Sequence, residues 1–161
     1  MDVEMKVKSL MMDPVTQMPI VILRNPAGDS ILPIWVGLFE ANAIALQLEK
    51  ISTPRPMTHD LLRQVLTTME AQVERIVITD LRENTFYATV HLRYHGRALT
   101  VDSRPSDAIA LALRTESPIF VNSGVIDKAS KKDISEDPAE SERLRHWLEK
   151  LEPGDLGKYE N

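Results

Sequence analysis

The hydrophobic and polar positions of the chain change period twice in the same way. Val3 to Met12 alternates loosely, MPIVILRN is apolar and β-branched, NPAGDS is a turn, and ILPIWVG resumes the apolar run; this reads as three strands. From about Phe39 to Lys50 small Ala alternates with Ile and Leu, and Ile44 and Leu48 stand at i, i+4, which predicts a helix. The order then returns. VERIVITDL, a turn at Arg82-Glu83-Asn84, TFYATVHLRY, a turn at His95-Gly96 and RALTVD predict three more strands, followed by a helix opened by Pro105.

The recurrence extends to the letters. Ala43-Ile44-Ala45-Leu46 lies over Ala108-Ile109-Ala110-Leu111, and Leu48 over Leu113. The predicted fold is therefore α+β, built of duplicated βββα units with a mainly antiparallel sheet. Each unit is too thin to bury its own sheet face, so the two cover one another or share a core. Between them Leu61, Leu62, Val65, Leu66 and Met69 follow helical spacing after a Thr58 cap, as a linking helix would. After the second unit SPIFVNSGVI reads as a short strand and a turn, suited to edge pairing between the subunits of a homodimer. From Asp127 the text becomes polar, KASKKDISEDPAESE, as expected of a linker. AESERLRHWLEKL then carries Leu144, Trp147, Leu148 and Leu151 on one side, an amphipathic C-terminal helix expected to dock weakly or on a partner. This divides the chain into a domain over 1–127 and a linker with helix and tail over 128–161.

Length and composition narrow the classes. A chain of 161 residues with 43% hydrophobic content makes one domain with a real core. It contains no run of eighteen apolar residues, and MDVEMKVKSLMM alternates charge with hydrophobe; the expectation is a soluble, cytoplasmic protein without membrane contact. The absence of cysteine removes disulfides, thiolate catalysis and cysteine-based zinc sites. With a net charge of −5, no global positive field draws the chain to nucleic acid, so any polyanion site is local. Between Ile51 and Asp127 every basic residue is Arg, whose planar fork grips phosphate or carboxylate in two places. No phosphate-binding loop, Gly-x-Ser-x-Gly or His-Glu-x-x-His is present, and 5% aromatic content builds no evident base-stacking platform.

Two short texts concentrate the chemistry. TPRPMTHDLL and DSRPSDAIAL both run through Arg-Pro into a helix with Asp60 or Asp107 in its first turn. One reading is purely local: Thr58, Ser103 or Ser106 caps, Pro suits the first turn, and Asp favours the positive end of the helix dipole. The other makes a shared site. Arg55, Arg104 and Ser106 hold phosphate; Asp60, Asp102 and Asp107, with Glu40, hold a divalent cation such as Mg²⁺ or Mn²⁺; His59, Asp60 and Asp107 carry the catalysis, with His59 moving protons. His91 and His95 fall on a strand and its turn, where i, i+4 spacing makes no metal pair, and His146 lies in the tail.

LPIWVGLFEANAIALQLEK, RPMTHDLL and DSRPSDAIALALRTESPIFV together resemble the bifunctional nuclease family over about Met1 to Ile126. The resemblance implies a nuclease acting on both DNA and RNA, in a compact α+β fold that associates as a homo-oligomer. It marks Gly37, Glu40, Ala41, Arg55, Pro56, His59, Asp60, Asp102, Arg104, Pro105, Ser106 and Asp107 as motif positions without assigning their roles. The rival expectation is a non-catalytic oligomeric binding or regulatory domain, in which the Ala-rich helices form an interface and the caps are only caps.

Overall fold

A computed structural model describes residues 1–28 and 30–132. Three strands, β1 (Asp2–Met12), β2 (Pro19–Arg24) and β3 (Ile31–Trp35), lead into helix α1 (Leu38–Leu48). Helix α2 (Thr58–Thr68) follows, then β4 (Ala71–Arg82), β5 (Thr85–Tyr94), β6 (Arg97–Ser103) and helix α3 (Pro105–Thr115). A short strand β7 (Ile119–Asn122) and helix α4 (Ser123–Lys132) complete the described chain. The order of three strands and a helix thus occurs twice. The fold is α+β, and the two halves share one seven-stranded sheet in the order β3-β2-β1-β7-β4-β5-β6.

Both turns of the second half are two-residue hairpin loops. Glu83 and Asn84 have φ of 46° and 63°, and His95 and Gly96 have 46° and 76°; left-handed backbone at both central positions matches the right-handed twist of the flanking strands. The register follows, with Arg82 opposite Thr85 and Tyr94 opposite Arg97.

β7 does not sit at an edge. It pairs antiparallel with β1 and parallel with β4, so it occupies the middle of the sheet. This corrects the expectation of intersubunit pairing through SPIFVNSGV: with neighbours on both sides, its backbone groups have none to offer a second chain. Among the described residues the sheet edges are β3 and β6. Ile76, Val77 and Ile78 are buried in succession on β4, as a strand covered on both faces requires. Helices α3 and α4 both pack on β4. Residues Asp127 to Lys132 belong to α4, where composition alone reads as the start of a linker. The predicted C-terminal helix lies outside the described residues.

The repeated helices α1 and α3 pack against each other. Ile44 and Ile109, equivalent in the repeat, are both fully buried, and Ala41, Ala108 and Ala112 are nearly so; small side chains let the two backbones approach closely. Helix α2 behaves differently, because none of its residues is buried. Among the described residues no helix is long and apolar enough to cross a membrane.

Candidate functional site

The N-termini of all three central helices contribute to one place. At α1, Gly37 is the N-cap and Glu40 the acid of the first turn. The Glu40 carboxylate folds back on its own backbone N–H, and a Cβ at position 37 would meet its Oε2, so a larger residue there would displace the end of the Glu40 side chain. At α3, Arg104 is the N-cap and Pro105 opens the first turn, as its fixed φ favours. At α2 the cap is Met57, not the expected Thr58, which is the first helical residue. Asp60 makes this workable by reaching back to accept the Met57 backbone N–H at 2.9 Å, the acidic half of a capping box.

The side chains then join across the helices. His59 Nε2 lies 2.9 Å from Asp107 Oδ1. Arg104 donates to the other oxygen, Asp107 Oδ2, from Nε at 3.0 Å and Nη2 at 2.9 Å, and its Nη1 donates to Glu40 Oε1 at 2.8 Å. An ionised carboxylate only accepts, so Asp107 places the hydrogen of a neutral imidazole on Nε2 and leaves the lone pair on Nδ1. His59 is well enclosed, with a side chain 12% exposed, while Arg104 is 64% exposed. The Glu40 carboxyl is held below its ordinary range by its own backbone N–H first and by Arg104 next. The Arg104 guanidinium is held above its own ordinary value by Glu40 and Asp107.

This cluster borders a cavity of about 850 Å³. Glu40, His59, Asp102, Ser103, Arg104 and Asp107 make its polar part. Val90 and Leu92 of β5, Val101 of β6 and Leu111 of α3 form an apolar wall, with Leu62 and Leu66 of α2 also lining it and Phe39 of α1 contributing an aromatic ring from a 90% exposed position. Val90 and Val101 face each other directly across the β5–β6 pair.

His59, Asp107, Arg104 and Glu40 therefore converge, and Asp102 borders them. Arg55, Asp60 and Ser106 do not line the cavity. Arg55 lies in the exposed loop before α2, and Ser106 is buried in the first turn of α3. Asp60 faces Arg114 instead, accepting its Nε at 2.7 Å. The expected carboxylate set does not assemble as a cation site: among the described residues no three His, Asp or Glu side chains are grouped to hold a metal ion. Asp107 spends both oxygens on His59 and Arg104, and Asp60 spends both on Met57 and Arg114.

Arg114 belongs to this region although neither Arg-Pro text contains it. Its side chain is 2% exposed, and besides Asp60 it donates to the carbonyls of Ala110 and Ala43, each at 2.9 Å. One guanidinium thus joins α3 to both α1 and α2. The available signal was a lone cation ending the apolar run AIALALR, where a planar five-donor group can satisfy several helices at once.

The bifunctional nuclease domain profile matches residues 21–133. An uncharacterised protein of Mycobacterium tuberculosis is 35% identical over 95% of this chain and 97% of its own length. Bifunctional nuclease 1 of Oryza sativa subsp. indica is 28% identical over 76% of this chain, and bifunctional nuclease 1 of Arabidopsis thaliana is 27% identical over 65%. These matches span only 38% and 33% of the two plant proteins. With a profile match over most of its length, the chain belongs to the bifunctional nuclease domain family.

Proposed function

We propose that this protein hydrolyses phosphodiester bonds of DNA and RNA at the cavity between α1, α2, α3 and the β5–β6 face. The observation that carries the reading is the His59–Asp107 pair at 2.9 Å, set beside Arg104 in one cavity. A histidine oriented by a carboxylate is a competent proton acceptor near neutrality, and Asp107 stabilises the imidazolium that forms. Arg104 supplies donors to a phosphoryl oxygen as negative charge develops there. Family membership and the plant relatives named as bifunctional nucleases support the same reaction class. Purified protein, assayed with Mg²⁺ or Mn²⁺ and again with EDTA, is expected to cut both nucleic acids. Unchanged cutting by His59→Ala and Asp107→Asn variants removes this site from the reaction.

A second reading rests on α2. Leu61, Val65 and Met69, spaced at i, i+4, are 55%, 45% and 54% exposed and stand off the cavity lining. A stripe of this kind, on the side of α2 away from Leu62 and Leu66, marks an association surface, and we infer a homodimer through it. Light scattering should report a dimer that Leu61→Glu with Val65→Glu converts to a monomer. A dimer that shows no turnover under any of the assay conditions favours the binding or regulatory alternative.

A further inference from the structure

We propose that the cavity takes one unstacked nucleotide of a single strand rather than a stretch of duplex, an inference that rests on the nucleic-acid reading of the same site. Its volume of about 850 Å³ is that of a small-molecule pocket rather than a groove tracking a helix. Its lining divides into two chemistries. The wall of Val90, Leu92, Val101 and Leu111, with Phe39 exposed beside it, offers apolar surface to the face of a base. The cluster of His59, Asp107 and Arg104 offers donors and a proton acceptor to the sugar and phosphate. One nucleotide presents both, an apolar ring at one end and an anion at the other. A base buried in a duplex cannot reach such a wall without leaving its stack.

Charge excludes the other geometry. Duplex is held by rows of cations along its backbone, yet among the described residues Arg104 is the sole Arg or Lys of the lining and already carries Glu40 and Asp107. The chain as a whole bears −5. Such a surface engages one or two phosphates, so affinity comes from the base and not from the backbone.

The test is equilibrium binding of the full chain to a short phosphorothioate single strand, which resists cutting, and to the same sequence as blunt duplex. The single strand is expected to bind at least about ten-fold tighter, with a shallow dependence of log K on log salt, a slope of about −1. Val101→Glu and Leu62→Glu place a carboxylate on the apolar lining at half-exposed positions that tolerate it, and each is expected to weaken single-strand binding by about ten-fold or more. Equal or tighter duplex binding, a steep salt slope, or wild-type affinity in both folded variants overturns the inference. Binding of the single strand with no cleavage of natural strands leaves it standing and removes the nuclease reading. Cleavage of duplex as fast as single strand, insensitive to both variants, does the reverse.

Discussion

Arg114 and Asp60 are 54 residues apart in sequence and are joined through Nε and Oδ1 at 2.7 Å. The guanidinium is almost completely enclosed while the carboxylate remains 34% exposed, so the pair is anchored from the α3 side and reaches outward to α2. Since α2 buries none of its own residues, this bond and the His59–Asp107 contact are its principal polar ties to the domain. The site histidine therefore depends for its position on an arginine outside the cavity.

Arg114→Met keeps the bulk of the side chain and removes all three donated bonds. It is expected to lower unfolding stability by about 3 kcal/mol, because Asp60 loses its cation and the Ala43 carbonyl its donor. Denaturant melts should show a lower midpoint at unchanged slope. A midpoint equal to wild type would show that α2 is held by other contacts.

Stability should fall on the acid side. The Asp60 carboxyl lies below its ordinary 3.8, first through the Met57 N–H and then through Arg114, which together outweigh burial. Burial pushes Asp13 upward, but hydrogen bonds from Trp35, Val15 and Thr16 outweigh it and the net direction is down. A depressed folded value means that the contribution is fully present above the unfolded value and is lost as pH falls through the folded one. Thermal melts should thus be flat near neutrality and drop below about pH 4. Asp60→Asn should make that drop shallower; an unchanged acid limb would assign it to other groups.

Gly37→Ala is expected to cost up to about 1 kcal/mol, because the added methyl displaces the end of the Glu40 side chain from the bond it accepts from its own backbone N–H. Arg104 loses a partner in the same event. In a Glu40→Ala background the glycine substitution should add nothing further, a coupling that a double-mutant cycle measures directly. Additive costs would mean that the two residues act separately.

His59→Ala is expected to reduce phosphodiester cleavage by about 10²- to 10⁴-fold with little change in folding, the range of a lost general base. Asp107→Asn should lower turnover as well, since an amide in place of the carboxylate no longer fixes hydrogen on Nε2. The measurement is single-turnover cleavage, paired with circular dichroism to confirm the fold.

The strands and hairpins were legible because each is written locally: alternation sets the face, and Glu83-Asn84 and His95-Gly96 set the turn. The repeated Ala-Ile-Ala-Leu text marks each helix as a closely packed face, but that α1 and α3 meet each other is set by the sheet that carries them and is not written in either stretch. The place of β7 was not legible either, because a four-residue strand with three apolar residues looks the same at the edge and in the centre of a sheet, and the difference is made by β1, more than a hundred residues earlier. Among the site residues, the two Arg-Pro texts look alike, yet only Arg104 joins the cluster while Arg55 stays in an exposed loop. Which oxygen of which Asp meets a histidine and which meets a cap is settled by helix packing, and no short stretch of sequence records it.

The position of β7 also sets a schedule for the nascent chain. Hairpins β1–β2–β3 and β4–β5–β6 can each close among near neighbours as they leave the ribosome. The seam between them closes only when Ile119–Asn122 arrives, since among the described strands it is the one that joins β1 to β4. Until Asn122 has been translated and released, the first half waits with the β1 flank uncovered, open to whatever strand meets it first. Chains stalled before that residue are the ones a chaperone would have to shield.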